Sequence, residues 1–127
     1  MRLKKMLIGV LVCGLLGLLV SACAIENVST SNLPTVHMGA TDFLQHSITI
    51  QKGQQVNLVD DASSTHIITN GSWVNGVAKP GKEPGAPTVN QTYNGNDSAT
   101  IGPFNTPGTF HLYCTIHVNM NLTVIVK

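Results

Sequence analysis

Beyond residue 34 the chain is a succession of short Val/Ile/Thr-rich runs, each cut off within a few residues by Gly, Pro or Asn, and no stretch spaces its apolar residues as a helix would. A run of five or six extended residues carries backbone N–H and C=O groups that only neighbouring strands can satisfy. The chain must therefore build sheets. Strands are expected near 35–40, 46–51, 54–60, 65–69, 88–93, 97–101, 108–114 and 120–126, and short strands at this spacing point to an all-β sandwich or barrel. Ile48 and Ile50 share one face of their run, Val56 and Leu58 share one face of the next, and Lys52-Gly53 turns the chain between them. From Asn70 to Gly95 the crowd of Gly, Pro and Asn predicts a long irregular connection in which only 88–93 is extended.

The N-terminus sets the compartment. Arg2, Lys4 and Lys5 precede an uncharged apolar run from Met6 to Val20, the layout of a secretory signal. At about 15 residues the run is shorter than the ~20 that a spanning helix needs. Val20-Ser21-Ala22-Cys23 resembles a bacterial lipobox, so residues 1–22 are expected to be removed and Cys23 to be lipidated. Residues 23–33, rich in Ser, Thr and Asn, then form a flexible tether and 34–127 a single domain. The mature chain is expected outside the cytoplasm, anchored to the bacterial cell membrane by its lipid. Its four lysines face six carboxylates, a net charge of −2 with no basic patch, which argues against nucleic acid as a partner.

With Cys13 discarded and Cys23 lipidated, Cys114 is the one free thiol of the mature chain and has no internal disulfide partner. A lone cysteine is ordinarily a small buried hydrophobe. This one is followed at three-residue intervals by His117 and Met120, where a strand pattern ends in a short turn. A thiolate, an imidazole and a thioether in one loop need one more imidazole to make a mononuclear copper site of the electron-transfer type, because soft sulfur suits Cu(I) and nitrogen suits Cu(II). His66, 48 residues upstream on another strand, is the candidate; by itself it would be an ordinary polar strand residue. Strand parity puts Phe110, Leu112 and Cys114 on the core face and His111 and Tyr113 on the other, so His111 is expected to face solvent despite its nearness to Cys114. His37 and His46 are read as surface residues. Met120 shares its parity with Leu122, Val124 and Val126, which fits a core residue and an axial ligand equally. Trp73 either packs over the sandwich or flanks the site.

The segment Gly108-Thr109-Phe110-His111-Leu112-Tyr113-Cys114-Thr115-Ile116-His117-Val118-Asn119-Met120, with His66 upstream, resembles the small blue copper proteins, the cupredoxins. The resemblance spans roughly residues 35 to 127. It implies a Greek-key β-sandwich of about seven to eight strands with one type 1 copper near one end, held by His66, Cys114 and His117 with Met120 as a weak axial ligand. Two positions depart from the usual pattern: Ile67 stands where Asn often follows the first histidine, and Ile116 and Val118 occupy a ligand loop that often contains proline. The function implied is outer-sphere transfer of single electrons between redox proteins, by a monomer and not an enzyme, through an apolar surface near His117. A copper chaperone or storage lipoprotein is the alternative. It would favour an exposed, Met-rich site, and the mature chain has only Met38 and Met120. A binuclear copper centre would need two cysteines.

Overall fold

The computed structural model describes residues 33–127. The expected signal segment 1–22, Cys23 and the tether up to residue 32 lie outside the described residues. In chain order the strands are β1 (Thr35–Met38), β2 (Ser47–Ile50), β3 (Val56–Asp60), β4 (Thr65–Val74), β5 (Val77–Pro80), β6 (Asn90–Asn94), β7 (Ser98–Ile101), β8 (Gly108–Cys114) and β9 (Asn121–Val126). They form a three-stranded sheet, β1-β3-β7, and a six-stranded sheet, β2-β9-β8-β4-β5, with β6 also paired to β4. β1 runs parallel to β3 and β2 parallel to β9; the other pairs are antiparallel. The turn at Lys52-Gly53 therefore carries the chain from one sheet to the other, not round a hairpin.

Alternation decides what each sheet buries. Val36 and Met38 of β1, Val56 and Leu58 of β3, and Leu122, Val124 and Val126 of β9 point into one continuous core, with Ile68, Tyr93, Phe110 and Leu112. Phe43 and Phe104, from loops, are buried in the same core. Each such aliphatic or aromatic side chain withdrawn from water contributes about 1.5–3 kcal/mol, and together these residues hold two short sheets face to face.

The structure corrects the expectation for residues 70–95. β4 does not stop near Thr69: it continues to Val74, turns through Asn75 and Gly76, and returns as β5, giving nine strands where seven to eight are expected. Asn75 and Gly76 both have positive φ (51° and 74°), the arrangement of a two-residue turn that matches strand twist and for which Asn-Gly is the preferred pair. β4 changes partners along its length. It pairs with β6 at Thr65–Thr69, with β8 at Ile68–Asn70, and with β5 from Gly71 to Val74. Gly71 is the bend between these halves, at φ 127°. A β-carbon there would lie 2.9 Å from Tyr113 Cε1 and 2.9 Å from Pro80 Cα, and against the carbonyl of Lys79. Gly71→Ala is accordingly expected to lose about 2–4 kcal/mol, from positive φ and backbone collision together, read as a lowered urea midpoint.

Between β5 and β6 the chain forms a packed flap. Asn70 accepts a hydrogen bond from Val89 N–H (2.8 Å) and donates one to Pro87 O (3.1 Å), while Ala86 and Val89 enter the core. Glu83 meets His111 of β8 at 2.6 Å. Burial alone would raise the Glu83 carboxyl, but its hydrogen bonds, the one to His111 foremost, hold it below the usual range.

Candidate metal centre

The pairing of β4 with β8 brings two distant parts of the sequence together. Ile68 lies opposite Cys114, so His66, two residues earlier on the same face of β4, stands beside the point where β8 gives way to the loop. Cys114 and His66 are fully buried and His117 is partly exposed. Cys114 Sγ is 3.8 Å from His66 Nδ1 and 3.5 Å from His117 Nδ1, and the two nitrogens are 3.2 Å apart. A triangle with these edges has all three donor atoms about 2.0 Å from one point in its plane, the length of a metal–imidazole bond and slightly under that of a metal–thiolate bond. Among the described residues this is the one group of three or more His, Cys, Asp or Glu side chains close enough to share an ion.

The far side of His66 fixes which nitrogen is free. Its Nε2–H donates to the carbonyl of Gly39 at 3.0 Å. Ser64 Oγ lies 3.3 Å from the same nitrogen and donates its own proton to Ala40 O at 2.8 Å. With the proton held on Nε2, the Nδ1 lone pair points at Cys114 and His117, the tautomer a metal ligand requires. Burial lowers the His66 pKa, the carboxylate of Asp60 and the Gly39 carbonyl offset part of that, and His117 adds to it. Burial is the largest of these and favours the neutral imidazole.

Asp60 is a residue of the site that the sequence pattern alone does not single out. Its carboxylate is buried, with Oδ1 3.7 Å from His66 Nε2 and accepting a hydrogen bond from Ala62 N–H at 3.0 Å. Oδ2 has no hydrogen-bond partner among the described residues. A signal is nevertheless present: Val56, Leu58 and Asp60 share the inward parity of β3, and a carboxylate placed inward at a strand end needs a cationic or metal-linked neighbour.

The loop closes by backbone bonds. Met120 N–H donates to His117 O (3.2 Å), Cys114 N–H donates to Met120 O (3.0 Å), and Asn119 takes the left-handed conformation that Asn tolerates, at φ 66°. Met120 is fully buried next to the cluster in the chain path. Thr115 N–H donates to Ile67 O at 2.9 Å, so the loop is tied to β4 through backbone where Ile67 has no polar side chain. The remaining histidines stay outside the cluster, each against a carboxylate: His37 with Asp61 at 2.8 Å, His46 with Asp42 at 3.1 Å, His111 with Glu83. Tyr113 does lie opposite Cys114's face, yet it is buried, because Trp73 covers it edge-on with ring centroids 5.9 Å apart. Trp73 therefore flanks the site. Around partly exposed His117, Ile116 and Val118 are 48% and 59% exposed.

No protein-family model matches the sequence, and no curated protein matches it. Among solved structures the chain is similar to amicyanin from Paracoccus versutus (Thiobacillus versutus), with 21% identity and a TM-score of 0.59 over 76% of this chain and 83% of that one. It is also similar to a purple cupredoxin from Nitrosopumilus maritimus, with 21% identity and a TM-score of 0.56 over 74% of this chain and 99% of that one. The chain has the cupredoxin fold.

Proposed function

We propose that this chain is a type 1 copper protein that carries single electrons between redox proteins outside the cytoplasm, held at the membrane by a lipid on Cys23. One observation carries the reading: a buried thiol and two imidazoles with their donor atoms 3.2–3.8 Å apart, close enough to share one ion, followed in the same loop by buried Met120, the Cys/His/His set with a thioether that suits electron-transfer copper. Amicyanin, whose fold it shares, is described in a reduced Cu(I) form. Cys114, His66 and His117 would hold the ion, with the Met120 thioether as a fourth, weaker donor. Bound copper supplies a one-electron couple between Cu(II) and Cu(I).

The chain's own groups do the rest. Gly39 and Ser64 orient His66, and the core residues around Cys114 exclude water, which limits solvent rearrangement when charge changes. His117, between exposed Ile116 and Val118, offers the ring edge nearest to a docked partner; contact through apolar side chains suits a brief encounter. The buried thiol and His66 favour retention of copper over its handing on, so carrier is preferred to chaperone. The Cys114 thiol does lie beside imidazole nitrogens, but it is fully buried between two of them as a ligand would be, and the reading is that of a carrier, not an enzyme. The domain loaded with Cu(II) is expected to show an intense visible thiolate-to-copper band; a colourless, fully loaded protein would overturn the assignment.

Met120→Leu is expected to keep copper bound and coloured while raising the reduction potential. A weak thioether adds little to retention, but its loss leaves Cu(II) less well supplied with electron density than Cu(I), and the near-equal volume of Leu keeps the packing cost under about 1.5 kcal/mol. Voltammetry reads the shift, and an unchanged spectrum and potential would make Met120 a core residue only.

A further inference from the structure

We propose that the β4–β5 hairpin is a clamp that positions the ligand loop Thr115–Met120, with Trp73 as its positioning residue. The clamp serves the copper site proposed above, and its geometry stands independently of the metal. The hairpin contributes nothing to the core on its returning side: all four residues of β5 are exposed, as is Val74 before the turn. Strands that bury nothing are a liability in a small sandwich, where a free edge invites pairing with other chains. Its contacts show another use.

Every side-chain hydrogen bond joining residues 72–80 to the rest of the described chain goes to the segment Cys114–Asn121. Trp73 Nε1–H donates to the carbonyl of Cys114 at 2.8 Å. Trp73 N–H donates to Asn121 Oδ1 at 2.7 Å, and Asn121 Nδ2–H donates back to Trp73 O at 3.0 Å, so one amide grips both backbone groups of Trp73. Gly76 N–H donates to Asn119 Oδ1 at 3.2 Å. The bonds reach the loop at its start, at its left-handed residue and just past its end. The Trp73 indole also stacks edge-on against Tyr113, the residue before Cys114.

The loop needs such support. Fixing each backbone residue costs conformational entropy, and proline, which would reduce that cost in advance, is absent from residues 115–120. Side chains with exposed apolar tips, Ile116 and Val118, give the loop no anchor of their own. A hairpin bent out of the sheet at Gly71 supplies the restraint from outside, through donors aimed at loop carbonyls and amides. Restraint of this kind keeps donor atoms in one geometry for both charge states of a bound ion.

The test replaces Trp73 by 3-benzothienylalanine, which keeps the ring system and its packing but has sulfur where Nε1–H was, alongside Trp73→Phe. In the metal-free protein, amide hydrogen exchange at Thr115 and Met120 is expected to speed up about three- to tenfold, as the loss of one hydrogen bond allows, while Leu58 and Val124 stay within about twofold of wild type. The Cu(II)-loaded variant is expected to show a broadened, shifted visible band. Exchange at Thr115 and Met120 unchanged in the isosteric variant overturns the clamp, and so does an equal rise across both sheets, which would make Trp73 merely structural. A wild-type protein colourless with Cu(II) would overturn the copper reading and leave the exchange result to decide the clamp by itself.

Discussion

Cys114→Ser is expected to abolish the visible band of the Cu(II)-loaded protein completely while leaving a folded β-sandwich. The two halves of that expectation have different physical causes. The band belongs to a copper–thiolate bond, which a hydroxyl side chain does not make, so its loss is total and not graded. The fold depends on Val36, Leu58, Ile68, Leu112, Leu122 and Val124, all of which the substitution leaves in place although Cys114 belongs to the same core. Stability nevertheless changes, because Cys114 is fully buried and a buried hydroxyl costs about 1–3 kcal/mol unless it finds a partner. His66 Nδ1 and His117 Nδ1, 3.8 Å and 3.5 Å from the sulfur, are the acceptors that would moderate this. An absorption spectrum, with far-UV circular dichroism and a urea titration on the same sample, checks both halves. Retention of the band would show that sulfur is not the source of the colour; loss of the fold would show that the thiol has a structural role the packing does not reveal.

How far the residues alone foretell this molecule depends on whether the deciding interaction is local. Cys114, His117 and Met120 lie within seven residues, and parity along β8 separates Cys114 from His111 by the pleat alone, so the loop half of the site and the rejection of His111 are legible in the sequence. His66 requires the register of β4 against β8, which no local pattern fixes; only the loop's need for another imidazole points to it. Asp60 escapes notice although its inward parity is visible, because polar strand ends are usually solvated. The hairpin escapes for a different reason. Val74-Asn75-Gly76-Val77 is a strong hairpin signal, but it sits among so many other Gly, Pro and Asn residues that Gly71 and Gly76 read as loop punctuation, when one is a bend and the other half of a tight turn. Trp73 cannot be placed without that hairpin. The tether, the lipid on Cys23 and the choice of redox partners belong to the proposal, and labelling of the full chain with radioactive fatty acid, lost in Cys23→Ser, tests the anchor.

Removing imidazoles one at a time separates ligand from scaffold. His66→Ala and His117→Ala are both expected to destroy the wild-type copper spectrum, since each takes one corner from a three-donor triangle, whereas His111→Ala leaves it nearly unchanged. In the metal-free protein the three should diverge again. His66 is fully buried, with Gly39 O, Ser64 Oγ and the Asp60 carboxylate facing its Nε2; truncation leaves a cavity lined by polar atoms that have lost their donor, at about 2–4 kcal/mol. His117 is partly exposed, so water can take its place beside His66 Nδ1 and Cys114 Sγ, and its cost stays within about 0.5–1 kcal/mol. His111→Ala costs on the order of 1 kcal/mol through its bond to Glu83, whose half-buried carboxylate then lacks its nearest partner. Urea denaturation of the metal-free variants gives the second ordering, and visible spectra of the loaded ones the first. A residue ranked high in both is ligand and scaffold together, which is the place assigned to His66; one ranked high only in the spectrum is ligand alone, the place of His117. Equal spectral damage from His111→Ala would mean that the inward and outward faces of β8 are reversed, and with them the whole placement of Cys114.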